Sequence, residues 1–210
     1  MDIKSIKPRR SLADIAAAYA GKTSEGPGQN WKLFFPFWKM PVDTTTTVRF
    51  LPDKNDENPL SFLVENRTHE LVINGKAETV ACLKMYGEDC PICDLSASFY
   101  DVEDKTMGKK YYHKKSYIGS VLVVETQVEH DANVLNKLIE FGPQVFNQIQ
   151  AGYRSGDFEE SPESLKGGYN FRIRKTLTGD GRNSYSTSSF APKQTDVSDE
   201  IIEKLELYNL

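Results

Sequence analysis

Residues 69–93 read HELVINGKAETVACLKMYGEDCPIC, and this stretch decides how the middle of the chain folds. It holds all three cysteines of the protein and one of its three histidines. The Asn-Gly pair at 74–75 is the strongest short signal for a β-hairpin, so we expect the chain to turn back there. The stretch ends in a C-x-x-C knuckle, a spacing at which two thiolates can reach one ion. The sequence therefore predicts a metal site made of His69, Cys82, Cys90 and Cys93.

The donor set predicts one structural Zn²⁺ ion. Three thiolates and one imidazole select zinc at tetrahedral geometry, and four protein ligands leave no open position for catalysis. Zinc deaminases instead use H-x-E followed by P-C-x-x-C. Here Glu70 directly follows His69 and Pro91 lies inside the knuckle, so the sequence predicts no enzyme. The alternative is three buried apolar thiols and an unrelated surface histidine.

Outside this stretch the pattern is mostly β. Residues 44–51, TTTTVRFL, are rich in β-branched side chains, and Pro52 ends them. Periodicity alone leaves residues 134–141 open between helix and strand. Several strands with few helices indicate a small barrel with insertions. The other predicted strands are 60–64, 70–73, 78–82, 109–125, 168–177 and 185–190, and the predicted helices are 90–100, 143–150 and one that Ser198 caps.

The formal net charge of -4, from 26 Lys plus Arg and 30 Asp plus Glu, argues by itself against a nucleic-acid binder. The charges are segregated, however. Residues 105–120 carry five lysines and no acid, residues 166–182 carry five cations and one acid, and residues 1–10 carry four cations and one acid. Residues 194–210 carry five acids and one lysine. Such a chain can combine a total near zero with one strongly positive groove.

No stretch resembles a signal peptide or a membrane helix, so we expect a cytosolic protein that does not act at a membrane. An odd number of cysteines also argues against a disulfide framework.

Residues 109–117, KKYYHKKSY, combine cations for phosphates with flat rings for bases, the two components of a sequence-tolerant single-strand site. Read as a strand, they place Tyr111, Lys115 and Tyr117 on one face. The alternative is an edge strand protected by lysine, with the tyrosines in ordinary packing. The candidate nucleic-acid contacts are Arg49, Tyr86, Tyr100, Lys109, Lys110, Tyr111, Lys114, Lys115, Tyr117, Arg172, Arg174 and Tyr185.

Three motifs together resemble the single-stranded DNA-binding (helix-destabilising) protein family of T-even-type bacteriophages. They are the R-F-L-P-x-K-N-D run at 49–56, the histidine and cysteine set, and K-S-Y at 115–117 leading to L-V-V at 122–124. The resemblance covers nearly the whole chain. It implies an OB-fold (five-stranded barrel) core over residues 22–210, with a zinc subdomain at about 66–108 and a strand at 134–141. It also implies a basic arm and helix at 1–21 that bind cooperatively through Lys7, Arg9, Arg10 and Ser11.

The implied function is to coat and protect single-stranded DNA during phage replication, recombination and repair, in the cytoplasm of the infected bacterium. The implied partners are single-stranded DNA, further copies of the chain placed head to tail, and phage replication and recombination proteins. Two features depart from the family: the spacing between Cys82 and Cys90 is shorter, and the acidic C-terminal tail is absent or truncated. The competing hypotheses are a zinc-ribbon scaffold that binds proteins through the aromatic patch at 31–38, and an RNA-binding regulator.

Overall fold

A computed structural model describes residues 33–210, which form eight strands and four α-helices. The predicted arm at 1–21, with Lys7, Arg9, Arg10 and Ser11, lies outside these residues. The strands are β1 (Thr44–Phe50), β2 (Leu63–Ile73), β3 (Lys76–Ala81), β4 (Lys114–Glu125), β5 (Asn136–Phe141), β6 (Gly168–Leu177), β7 (Asn183–Ser184) and β8 (Ser189–Thr195). The helices are α1 (Pro91–Asp101), α2 (Lys105–Tyr111), α3 (Pro143–Ser155) and α4 (Asp199–Ile202), and short 3-10 turns occupy Phe37–Lys39 and Leu83–Tyr86.

Strand β4 organises the sheet because it changes partner along its length. Its first half pairs with β2 and its second half with β1, while β5 pairs with the middle of the strand. Strand β1 then pairs with β6, which carries β7 and β8. Within residues 33–210 no ladder joins the two ends of this order, so the sheet is open. The structure confirms a mainly β chain with some helices, but it does not confirm the closed five-stranded barrel.

The hydrophobic core lies between the central strands and helix α3. The rings of Phe50, Phe62, Phe141 and Phe171 pack around one another, with centroids 4.8–6.1 Å from Phe50. Burial alternates along β6: Phe171 and Ile173 are fully buried, whereas Arg172 and Arg174 are exposed. Burying side chains of this size stabilises the fold by roughly 1.5–3 kcal/mol each.

The predicted hairpin at 74–75 joins β2 to β3. Asn74 and Gly75 have φ of 52° and 77°, the left-handed pair that a two-residue type I′ turn requires. The strand predicted at 70–73 belongs to β2, whereas only residues 63 and 64 of the strand predicted at 60–64 do, because residues 60–62 form a turn. The hairpin therefore places His69 on β2 opposite Val80 on β3, just before Cys82.

The structure departs from two of the predicted strands and defines two further elements. Residues 109–111 belong to helix α2 instead of a strand, because Asp104 caps the helix by accepting a 3.0 Å hydrogen bond from the Met107 N–H. Residues 134–141 contain strand β5, as the family resemblance implied. Residues 185–188 form a turn, closed by the Ser188 N–H donating to the Tyr185 carbonyl, and divide β7 from β8. The helix after Ser198 has only four residues.

The chain after α4 lies against the body of the protein. The Tyr208 carbonyl accepts a hydrogen bond from the Lys54 N–H, and the Leu210 N–H donates to the carboxylate of Asp53. Leu205 and Leu207 pack against a small second cluster of buried residues centred on Leu51, Leu122 and Val197. No helix in the described part of the chain is long and apolar enough to cross a membrane.

Candidate metal centre and nucleic-acid interface

The four predicted metal ligands meet at one point. The ligand atoms of His69, Cys82, Cys90 and Cys93 all lie within 4.8 Å of one another. The Sγ atoms of Cys82 and Cys93 are 3.5 Å apart, and His69 Nε2 is 3.4 Å from Cys90 Sγ and 3.6 Å from Cys93 Sγ. Tetrahedral zinc with bonds of about 2.3 Å to sulfur and about 2.0 Å to nitrogen needs edges of roughly 3.5–3.8 Å. The cluster can therefore hold a metal ion, and its dimensions are compatible with zinc.

Each ligand is held by a different local feature. His69 is fully buried on β2, and its Nδ1–H donates a 2.9 Å hydrogen bond to the Tyr111 carbonyl, so Nε2 faces the sulfurs. Cys82 follows the end of β3, and Cys90 is the N-cap residue of α1. Cys93 lies in the first turn of that helix, where the macrodipole favours a negative sulfur.

The close approach of three cysteine sulfurs favours the binding of a cation among them. Burial raises the pKa of the Cys90 thiol, but the backbone N–H groups of Cys93, Leu83 and Ile92 outweigh it and lower that pKa to about 6. Burial, and next the adjacent thiols of Cys82 and Cys90, raise the pKa of Cys93. Three sulfurs this close cannot all ionise without a positive ion among them, and a bound metal ion supplies that charge.

Two residues that the sequence analysis did not assign lie against the metal centre. His113 Nδ1 is 3.9 Å from Cys93 Sγ, and the Tyr112 ring stacks on the His113 ring with centroids 4.4 Å apart. Burial, followed by the positive charges of Arg67 and Lys115, lowers the pKa of His113. Both residues lie in the 109–117 stretch, but its reading as one strand hid their position.

The predicted cations of this region fall into two classes. Lys109 and Lys110 are exposed in the last turn of α2, and no carboxylate of residues 33–210 lies within ion-pair distance of either. Lys110 Nζ lies 5.5 Å from the centre of the Tyr111 ring. In contrast, Lys114 pairs with Glu70, and Lys115 pairs with Glu65 at 3.4 Å. Only the first two present their full charge to a ligand.

Arg172 and Arg174 are exposed on β6, and neither has an ion-pair partner in the described part of the chain. Arg172 lies opposite Thr47 of β1, and Thr47 lies opposite Glu125, the last residue of β4. Lys114 begins the same strand. The register therefore places Arg172 near the last residue of β4, whereas Lys114 lies at the start of that strand. The arginines of β6 and the lysines of β4 are not direct neighbours.

The predicted tyrosines differ widely in exposure. Tyr86 is 66% exposed and Tyr100 is 38% exposed. Tyr111 is half-buried and stacks on Phe99, with centroids 5.8 Å apart. Tyr185 is half-buried and packs edge-on against Phe37 at 5.5 Å. The first two present free ring surface, whereas the last two are partly engaged in packing.

Arg49 is a correction to the predicted set because it belongs to the protein interior. It is 2% exposed, and Nε donates 3.0 Å to Asn170 Oδ1. The other guanidinium nitrogens donate to the carbonyl oxygens of Ser164, Gly168 and Thr195. A guanidinium whose donors are used inside the protein cannot follow a phosphate backbone.

Tyr117 is the second correction, since it packs in the core. It is 6% exposed, and its ring stacks on Phe146 with a centroid distance of 3.7 Å and an interplanar angle of 8°. Its hydroxyl donates to Glu65 at 3.2 Å. Both ring faces are therefore unavailable to a base while the core is intact.

Comparison with known proteins places the chain in a family. A family model described as "gp32 DNA binding protein like" matches residues 42–209. A single-stranded DNA-binding protein of Enterobacteria phage T2 is 30% identical over 161 residues, which cover 68% of this chain and 49% of that protein. The T4 phage protein of the same name is 29% identical over 160 residues, covering 68% and 48%.

A shorter relative, the single-stranded DNA-binding protein of Escherichia phage SV14, is 31% identical over 116 residues, covering 48% of this chain and 93% of that protein. The chain spans about half the length of the T2 and T4 relatives. Because the family model covers most of the chain, including all four metal ligands, the chain belongs to the gp32 DNA-binding-protein-like family.

Proposed function

We propose that this chain is a non-enzymatic protein that binds single-stranded DNA without sequence preference. The observation that carries the proposal is that segments adjoining the four metal ligands expose both cations, at Lys109 and Lys110, and aromatic rings, at Tyr86 and Tyr100. Family membership supports it, as do relatives that are themselves named single-stranded DNA-binding proteins. Its role is to coat and protect the strand during phage replication, recombination and repair in the cytoplasm of the infected bacterium.

The interface works through two kinds of contact. Cations neutralise phosphates and release counterions, while each stacked base contributes roughly 1–3 kcal/mol. Binding the single strand and not the duplex shifts the melting equilibrium by mass action. We retain the contacts that lie at the surface or half-buried, namely Tyr86, Tyr100, Lys109, Lys110, Tyr111, Lys114, Lys115, Arg172, Arg174 and Tyr185.

The metal is zinc in this proposal, and its role is structural. His69, Cys82, Cys90 and Cys93 hold it, and as a closed four-ligand site it offers no position for a reacting water. The ion supplies folding energy to a subdomain of about residues 66–108. That subdomain forms one wall of a cleft, and the rest of the sheet, a variant of the OB-fold, forms the other.

Two further parts of the proposal concern association. Lys7, Arg9, Arg10 and Ser11 mediate head-to-tail cooperative binding between copies along the strand, and phage replication and recombination proteins are further partners. Both rest on the family resemblance, because these four residues lie outside the described part of the chain. Deleting residues 1–21 should reduce cooperativity along a long strand and leave affinity for a short oligonucleotide nearly unchanged.

A fluorescence titration tests the main proposal. We expect oligo-dT to quench the intrinsic tyrosine and tryptophan emission at low salt, and duplex DNA of the same length to quench it far less. RNA of the same length distinguishes the RNA-binding regulator, which would bind it at least as tightly. Equal quenching by duplex and single strand would remove the proposal. The protein-scaffold hypothesis loses support from the structure, because Phe35 and Phe37 of the aromatic patch are core residues.

A further inference from the structure

A groove beside the metal centre is lined by two tyrosine rings that come from different elements. Tyr100 belongs to α1, and Tyr112 lies in the short connection between α2 and β4. Cys93 and His113 lie deeper in the same groove. Tyr100 is one of the nucleic-acid contacts predicted from the sequence, whereas Tyr112, which is 53% exposed, is not among them.

The Tyr100 ring is held in place from behind by Gly108 of α2. A Cβ atom at Gly108 would lie 2.8–2.9 Å from three atoms of the ring, so the ring lies directly against the backbone there. The Ser96 hydroxyl donates a 2.8 Å hydrogen bond to the Gly108 carbonyl and fixes α1 against α2. Tyr100 is thus supported on one side and 38% exposed, so part of its ring surface is free for a ligand.

The Tyr112 ring is supported in the same way by His113. The two rings stack with centroids 4.4 Å apart and an interplanar angle of 22°. The His113 ring is held in position on its far side, because its Nδ1 is 3.9 Å from Cys93 Sγ and the ring packs edge-on against that of His69, with centroids 6.1 Å apart. The metal ligands therefore brace the back of Tyr112, and its other face stays open to solvent.

The charges of the groove favour a neutral planar ligand. Lys84 and Asp101 line it with opposite charges, and Lys84 Nζ is already 3.8 Å from the carboxylate of Asp94. No excess positive charge is left in the groove to hold a phosphate, whereas two supported aromatic rings suit stacking with a flat ring. The nearby unneutralised cations, Lys109 and Lys110, lie on α2 outside this lining.

We propose that Tyr112 and Tyr100 form a two-ring subsite that takes one unpaired nucleobase, with the open face of Tyr112 as the stacking platform. This inference rests on the proposed single-strand function and specifies where a base lies. Because both rings are supported from behind, little side-chain entropy is lost when the base binds. The metal centre acts here as the brace of a binding surface.

The test compares two ligands and three variants of the full chain loaded with zinc. The ligands are oligo-dT and an abasic deoxyribose-phosphate oligomer of the same length, at one salt concentration. Y112L should bind oligo-dT roughly 5- to 100-fold more weakly than the wild type and bind the abasic oligomer equally well. Y112F should behave like the wild type on both ligands. In Y112W, oligo-dT should quench the emission of the new tryptophan, and the abasic oligomer should not. This variant detects stacking at position 112 while keeping a full aromatic ring there.

The outcomes separate this inference from the proposed function. If the wild type binds oligo-dT and Y112L binds it equally well, the subsite is wrong and the single-strand function stands. An equal loss on both ligands, or a loss in Y112F as large as in Y112L, would also overturn stacking at Tyr112. If the wild type does not bind oligo-dT, the proposed function and the subsite both fail. Zinc content of one equivalent in each variant confirms that the brace is intact.

Discussion

Arg49 shows how far one residue can depart from what its sequence context suggests. It lies in a run that resembles the phage family, and a cation there reads as a phosphate contact. The structure instead buries it beneath residues 164–170 and 195, where backbone carbonyls accept its donors. Charged residues are almost never fully buried, so sequence reasoning had no local signal for this position.

We expect R49M to destabilise the protein by about 3 kcal/mol or more, because several buried acceptors lose their donor at once. Urea unfolding followed by circular dichroism measures the change. R172M on β6 is the matched control, since that side chain is exposed and its loss should cost less than about 0.5 kcal/mol. If R49M has the same free energy of unfolding as the wild type but binds oligo-dT more weakly, Arg49 contacts DNA and this prediction is wrong.

Tyr117 carries the second prediction at this scale. Y117A removes a ring that is stacked on Phe146 in the core, and we expect a loss of about 3–5 kcal/mol in unfolding free energy. Y117F keeps the ring and loses only the hydrogen bond to Glu65, so its cost should stay near about 1 kcal/mol. Thermal and urea unfolding of the two variants give the comparison. A Y117A variant as stable as the wild type but weak on oligo-dT would show that the ring leaves the core to bind.

At the scale of elements, local signals predicted what local chemistry decides. The hairpin at 74–75 follows from two residues that tolerate positive φ, and the start of α3 follows from Gly142 and Pro143. The strand predicted for residues 109–113 was wrong, because the alternation of lysine and aromatic residues there resembles the pattern of a strand. Its actual structure depends on the Asp104 cap and on the Tyr111 carbonyl that binds His69, a contact between residues 42 positions apart.

Removing a bound metal ion should loosen helices α1 and α2 and leave the sheet intact. A metal ion bound by the four predicted ligands would hold β2, the segment after β3 and the start of α1 together, whereas the contacts of β1 with β6 lie in a separate core. We expect a zinc chelator to accelerate amide hydrogen exchange in α1 and α2 by at least tenfold while exchange in β1 and β6 changes little.

Added zinc should restore the protection of α1 and α2, and C93S should show the fast exchange without any chelator. Metal analysis that finds less than about half an equivalent of zinc in the untreated protein would reject the ligand set. Uniform loss of protection across the sheet would show instead that the ion stabilises the whole fold.

Across the whole molecule, the net charge of -4 is less informative than the way ion pairs distribute the cations. The sequence identified three basic segments, and the structure describes two of them, whose members are not equivalent. Lys114 and Lys115 are neutralised by Glu70 and Glu65, which lie on the neighbouring strand β2. A strand register that joins residues about 50 positions apart cannot be read from a local pattern, so the sequence alone overcounts the charge available to a ligand.

This distinction leads to a prediction about salt. The logarithm of the affinity for single strands falls with the logarithm of salt concentration by about 0.7 for each phosphate neutralised. Replacing Arg172 and Arg174, which have no ion-pair partner among residues 33–210, in R172Q/R174Q should reduce that slope by up to about 1.4. K114Q/K115Q should change it less, because each lysine already shares its charge with a glutamate. Titrations with oligo-dT at several salt concentrations give both slopes. A larger effect of the lysine pair would contradict this prediction. It would show that DNA displaces Glu70 and Glu65 and that Lys114 and Lys115 contribute more to binding than the arginines do.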